Sequence, residues 1–223
     1  MELGKEGFNV VIGVRDVNKS ADALKTLRDA GIDAEAVTWD AGKPTTDEGV
    51  ERYFAQKYGR LDVLVNNAGT KHEELGAQTV ESVTQDALKA TFETNLFAVV
   101  RLTQRLLPLI KKSSAGRIVN VSSILGSLGT HQAENSPIKT FKPFAYNASK
   151  VALNAFTVHL AQQLAGTNVK VNSAHPGWVK TELGGPHAPM EVADSAKTSV
   201  FLATIPNEGP TGQFFFEKNT LPW

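Results

Sequence analysis

The sequence predicts an α/β protein: a doubly wound, mostly parallel sheet with helices on both faces. Three observations predict it. Short apolar runs alternate with segments of helical spacing along most of the chain. The apolar runs are near-continuous rather than alternating, as in strands buried on both faces. The 223 residues, 41% of them apolar, suit one domain with a sizeable core, and no repeat, low-complexity tract or linker divides them, so residues 1–223 are expected to form a single domain.

Each element follows from local pattern. Glu2–Gly7 reads as the tail of a helix, and Phe8–Gly13 as the first buried strand. Ser20–Ala30 has helical spacing through Leu24 and Leu27 and stops at Gly31. Asp33–Trp39 is a second short strand. Thr46–Lys57 is an amphipathic helix with Val50, Phe54 and Tyr58 on one face. Leu61–Val65 is a third strand, followed at once by Asn66, Asn67, Ala68 and Gly69. Val80–Lys112 reads as one long helix broken near Thr94–Asn95. Arg117–Val121 is a fourth strand, and the polar, Pro- and Gly-containing stretch Ser127–Pro143 is a loop. Ala145–Leu164 is a helix ending at Gly166, Val169–Ala174 a fifth strand, Glu191–Ala203 a short helix and Gln213–Phe216 a last strand.

Doubly wound folds normally carry a glycine-rich turn after the first strand, where backbone N–H groups and a helix N-terminus bind phosphate. No G-x-G-x-x-G or related turn occurs in the sequence. The expectation is therefore that the first βα unit is largely missing and the chain is N-terminally incomplete. In the usual strand order the absent strand is central, which leaves a slot about 9–10 Å wide. The Phe8 strand is then expected either to pair directly with the Leu61 strand or to borrow a strand from another chain. Unpaired edges also favour a homo-oligomer.

Composition excludes several classes of function. Lys+Arg and Asp+Glu number 23 each, so nothing electrostatic draws the chain to nucleic acid or an anionic membrane. There are no cysteines, which removes disulfides, thiolate catalysis and cysteine-ligated zinc. No metal site is expected. The first residues lack a signal-peptide core, and no apolar run approaches the roughly 18 residues of a spanning helix. These features suggest a cytoplasmic protein.

The chemistry lies in Tyr146-Asn147-Ala148-Ser149-Lys150. Tyr and Lys at i and i+4 share a helix face. An ammonium near a phenol favours the phenolate and draws its pKa down from about 10, so that the tyrosine can exchange protons with a carbonyl or alcohol. On spacing alone this is far more often a plain surface pair; the context gives it weight. A buried strand ends in Val121-Ser122-Ser123 just ahead of the helix. A serine at a parallel strand's C-terminal end faces the ligand crevice, where its hydroxyl can bond an oxygen gaining negative charge, although such serines also simply end a strand.

Asn66-Asn67-Ala68-Gly69, Asn95, Ser122-Ser123, Tyr146-x-x-x-Lys150 and Pro176-Gly177 followed by Thr181 occur in the order found in the short-chain dehydrogenase/reductase family. The chain resembles that family from Glu2 to Trp223. The resemblance implies a Rossmann-like oxidoreductase that uses NADP to reduce a small-molecule carbonyl, an aldehyde or ketone, to an alcohol. It implies Tyr146 as acid/base, with Lys150 lowering its pKa and binding the nicotinamide ribose. Ser123 matches the serine that orients the substrate carbonyl, with Ser122 the other candidate. Asn95 resembles the helix-bend asparagine that supports a proton-relay water. Asn67, Ala68 and Gly69 match the segment under the adenine ribose, and Asp40 the adenine contact, a position that otherwise reads as a turn cap. Val179 and Thr181, after Pro176 and Gly177, resemble the carboxamide contacts. His175 and Trp178 pack beside that loop, His175 in a structural role. At the end of the first strand, Val14 stands where NAD-binding members carry an acid, and Arg15 follows. A guanidinium suits a 2′-phosphate, so NADP is favoured over NAD, with Asp16 close by.

The segment between Ser123 and Tyr146 is long. It resembles the carbonyl-reductase-like branch, as does the ending Thr211–Phe215 with Leu221-Pro222-Trp223. Thr130–Phe144 is expected to wall a substrate pocket, with Phe141, Phe144 and Trp178 giving apolar contacts, or Phe144 anchoring the core. A second reading follows from the missing phosphate turn: a cofactor-free family remnant with a structural or interaction role.

Overall fold

The structure, a computed structural model, describes residues 1–73 and 79–223. A single helical turn, α1 (Glu2–Lys5), precedes β1 (Val10–Val14). There follow α2 (Ala21–Asp29), β2 (Ala34–Thr38), α3 (Thr45–Lys57), β3 (Val63–Asn66), α4 (Gln85–Phe92) and α5 (Ala98–Ile110). The second half comprises β4 (Arg117–Val121), α6 (Leu128–Gln132), α7 (Phe144–Gln163), β5 (Lys170–His175), α8 (Lys197–Ala203), β6 (Phe214–Phe216) and β7 (Asn219–Thr220). Strands β3 to β6 run parallel in that order, and β7 closes the edge antiparallel to β6.

Strand alternation distributes the core over two faces. Leu64, Ile118 and Val171 point to one face, where they pack with Val50 of α3, Leu102, Leu106 and Leu109 of α5 and Leu160 of α7. Val63, Val65, Val119 and Ala174 point to the other, against Phe201 and Leu202 of α8 and Leu3 of α1. The central strands β4 and β5 are almost wholly buried, whereas β1 and β3 are only half-buried. Helices therefore cover both faces, as the sequence predicts.

The sheet is in two parts. Strands β1 and β2 form a parallel pair of their own, with Val10 opposite Ala34. The expected direct pairing of the first strand with the third does not occur. The helices hold them apart: Val37 of β2 and Trp39 just after it pack in the same cluster as Leu61, Leu64 and Leu102, and sliding the pair inward would break that packing.

Local differences have local causes. The helix expected from Val80 begins at Gln85, because the Thr84 side chain accepts the N–H of Ala87 and caps it there. The expected break near Asn95 is a π-helical segment, Glu93–Phe97, between α4 and α5. The stretch expected to be loop contains α6, whose first turn is capped by the Ser127 hydroxyl accepting from Thr130 N. The helix expected over Glu191–Ala203 is a 3-10 turn, Val192–Asp194, followed by α8. Gly31 (φ 75°) ends α2 in the left-handed conformation that an L side chain resists. Among the described residues, no helix is long and apolar enough to cross a membrane.

Candidate active site

The predicted site residues follow the C-terminal ends of parallel strands: Arg15 after β1, Asp40 after β2, Asn67–Gly69 after β3, Ser122 and Ser123 after β4, and Pro176 and Gly177 after β5. This is the edge where an open α/β sheet leaves a ligand crevice. Ser122 N still pairs with Ala174 O at 2.8 Å. Ser123 then turns the chain, its hydroxyl accepting from Leu125 N at 3.2 Å to start the 3-10 turn Ile124–Gly126. Ser122 Oγ is buried and has no hydrogen-bond partner among the described residues.

Tyr146 and Lys150 project from the first turns of α7. Lys150 is 3% exposed, and its ammonium donates to Val121 O at 2.8 Å. It lies 5.7 Å from the centre of the Tyr146 ring. Burial pulls the Lys150 ammonium down to about 8. Burial also pushes the Tyr146 phenol up, and its hydrogen bond with Ser123 opposes that rise. The sequence reading had Lys150 setting the tyrosine. Desolvation is the largest influence on each of the two groups, and Lys150 keeps further N–H donors beside the one that meets Val121 O.

Asn95 is fully buried within the π segment. Its side-chain oxygen accepts from Thr70 N at 2.8 Å, and its amide nitrogen donates to Thr70 O and to Ser149 Oγ at 2.9 Å each. Ser149 Oγ in turn donates to the carbonyl of Tyr146 at 2.7 Å. A Cβ on Gly69 would lie 3.6 Å from Lys150 Nζ and 3.7 Å from Asn95 Oδ1. Gly69, Asn95, Ser123, Tyr146 and Lys150 are thus brought together. Arg15 and Asp40 follow the strands of the separate β1–β2 pair, and among the described residues they share no hydrogen bond with that group.

Arg15 is exposed, and among the described residues no ion pair uses it. Asp16 is turned back, its side chain accepting from Asn18 N at 3.0 Å. Asp40 caps its own turn, accepting from Gly42 N at 3.0 Å, with Lys43 Nζ 3.6 Å away. Next to it, Ala41 O accepts from Arg101 of α5, which also pairs with Glu93 and the buried Asp47. The end of β2 is thereby tied to the helix that follows the Asn95 bulge.

Beyond β5, Gly177 (φ 92°) leaves no room for a Cβ, which would meet Met190 at 2.6 Å. Val179 is buried and bridges to Met190, and the Thr181 hydroxyl accepts from Gly184 N at 3.1 Å. His175 is 9% exposed, and its Nδ1 accepts from Ile124 N at 3.3 Å and Gly177 N at 3.4 Å. Burial holds its pKa down to about 4, so it is a neutral brace between two loops. Trp178 meets Phe141 edge-on, with ring centres 5.5 Å apart. Phe144 is 37% exposed and is no core anchor. With Phe141, His131, Lys139, Lys142 and Asn147 it lines a cavity of about 600 Å³.

Sequence reasoning missed Ser149, Thr70 and Glu73. Ser149 stands three residues after Tyr146, on the same helix face, so the motif held its signal. Thr70 acts through its backbone. Glu73 accepts the N–H groups of Ala145 and Tyr146 and carries no local signal.

The profile of the short chain dehydrogenase family matches residues 1–191. The chain is 30% identical to human carbonyl reductase [NADPH] 1, over 96% of this chain and 89% of that protein. It is 34% identical to mouse retinol dehydrogenase 14, over 99% of this chain and 75% of that protein. Among solved structures, the carbonyl reductase Sniffer of D. melanogaster superposes with a TM-score of 0.83 at 26% identity, covering 96% of this chain and 88% of the other. Fold, ordered motifs and these relatives agree, and the chain belongs to the short-chain dehydrogenase/reductase family of oxidoreductases, in its carbonyl-reductase-like branch.

Proposed function

We propose that this chain reduces a small-molecule aldehyde or ketone to an alcohol with NADPH, through one domain spanning residues 1–223. The observation that carries the reading is the convergence of Ser123, Tyr146 and a buried Lys150 at the C-terminal edge of β4. NADPH, when bound, supplies the hydride for the carbonyl carbon. Tyr146 donates the proton to the carbonyl oxygen; desolvation favours this direction by keeping the phenol protonated until it is used. The Ser123 hydroxyl orients that oxygen and bonds it as charge grows. Lys150 stabilises the phenolate left behind. Asn95 holds the Thr70 backbone and, through Ser149, the Tyr146 peptide.

The residues present fit the cofactor in part. A Cβ on Gly69 would only reach van der Waals distance of Lys150 Nζ, so the backbone there lies close to the lysine that would bind the ribose, and Asn67, Ala68, Pro176, Gly177, Val179 and Thr181 are the other residues that would hold the cofactor. Arg15, which has no ion pair among the described residues while Asp16 is engaged by Asn18, suits a 2′-phosphate. The sequence holds no glycine-rich turn for the pyrophosphate. The NADPH named in the human relative supports the same cofactor here. The Phe141–Trp178 pair suits a substrate with an apolar flank.

Calorimetric titration with NADPH and NADH tests the reading. Micromolar NADPH binding with turnover of a carbonyl, abolished in a folded Tyr146→Phe variant, is the expected result. A folded chain that binds no NADPH at millimolar concentration would sink it and leave a cofactor-free role.

A further inference from the structure

The first turn of α7 needs acceptors for its backbone N–H groups, and its N-cap residue, Pro143, makes no side-chain cap. The acceptors come from far away in sequence. Glu73 Oε1 takes the N–H of Ala145 and Oε2 that of Tyr146, each at 2.8 Å. Glu73 is 3% exposed, and among the described residues no ion pair uses it. A buried carboxylate without an ion-pair partner is costly; Lys71 interacts with it electrostatically, and the positive end of a 20-residue helix is the counter-charge it bonds directly.

A serine or aspartate at position 143 would cap the helix locally at far lower desolvation cost. The acid instead arrives on the segment that also carries Gly69 and Thr70. That segment reaches Tyr146 twice. Glu73 holds its N–H, while Thr70, Asn95 and Ser149 lead in sequence to its carbonyl. The peptide unit bearing the phenol is clamped on both sides from one loop.

We propose that Glu73 is a positioning residue that fixes the height of Tyr146 against Ser123 and Lys150, and so couples the loop after β3 to the acid. This rests on the reductase reading above. Misplacing a reacting group by ~1 Å costs on the order of 10²-fold in rate, whereas a cap that only stabilises the fold leaves the rate per folded molecule unchanged.

The test compares Glu73→Ala and Glu73→Gln with the wild type. The glutamine retains one acceptor and protects the experiment against a variant that fails to fold. Expected for Glu73→Ala is a kcat lower by about 10- to 100-fold, with carbonyl KM and NADPH Kd within about twofold, and an intermediate loss for Glu73→Gln. A lower melting temperature with unchanged kcat per NADPH-competent site would overturn the proposal. Amide hydrogen exchange reads the clamp without turnover: the Ala145 and Tyr146 amides should both exchange at least about tenfold faster in Glu73→Ala, and one of them in Glu73→Gln, with the middle of α7 unchanged. Equal exchange in variants and wild type also overturns it. A wild type inert toward every carbonyl, with the exchange difference present, removes the reductase reading and leaves the clamp standing.

Discussion

At the residue scale, burial rather than charge pairing sets the titration of the site. His175 accepts two backbone N–H groups in a pocket that disfavours its cation, so its pKa falls to about 4. Below the ordinary value of about 6.5 the unfolded chain takes up a proton that the folded chain refuses until about pH 4. Stability from this group is thus complete above about pH 6.5 and is lost as pH falls toward 4, by on the order of 3 kcal/mol. His175→Asn, which keeps an acceptor but does not titrate, should flatten that part of a urea-denaturation pH series. An unchanged slope would mean that other groups carry it. Arg15 offers the second residue-scale prediction. Arg15→Ala should weaken NADPH by about 10- to 100-fold, the value of one charge-assisted contact, and NADH by much less. Equal losses in calorimetry would mean Arg15 does not read the 2′-phosphate.

At the scale of elements, the site depends on how closely the 3-10 turn after β4 approaches α7. A Cβ on Gly126 would come within 2.8 Å of the Lys150 backbone carbon and Cβ. The Asn154 side chain pins the same turn, donating to Gly126 O at 3.1 Å. Gly126→Ala should therefore push the turn and helix apart, costing about 1–3 kcal/mol in chemical denaturation and loosening Lys150 from Val121 O. Wild-type stability and activity in that variant would show that the contact is soft. The same helix is anchored from below by a buried polar chain. Asn66 donates to Asn120 at 2.8 Å, Asn120 donates to Thr157 at 2.8 Å, and Thr157 meets Ser173 at 2.8 Å. Satisfied polar groups of this kind fix the register of β3, β4, β5 and α7 more specifically than apolar packing does.

At the scale of the whole molecule, the division of the sheet has a dynamic consequence. Strands β1 and β2 with α2 form a small cluster of their own around Leu27, Ile32 and Ala34. Their link to the larger sheet runs through helix packing and the Arg101 contacts, and among the described residues β1 forms no ladder with β3. Local stability follows such contacts. The amides of Val10–Val14 should exchange in a lower-energy opening than those of Arg117–Val121 and Lys170–His175. Exchange of all three strands at the global rate would show one cooperative unit instead.

The order of elements, the helices on both faces and the candidate site motif were legible because period and turn chemistry are local. Tyr146 and Lys150 share a face by helical spacing, Asn95 interrupts a helical pattern, and Ser123 ends a strand. The tertiary structure decided what distance in sequence conceals. It buried the Lys150 ammonium and bonded it to Val121 O. It kept β1 off β3, because helices packed across both hold their separation. It also brought Glu73 under Tyr146, across 73 positions of sequence. No local pattern encodes that contact: an acid in a loop looks the same whether it faces water or the end of a distant helix, and only the packed chain distinguishes the two.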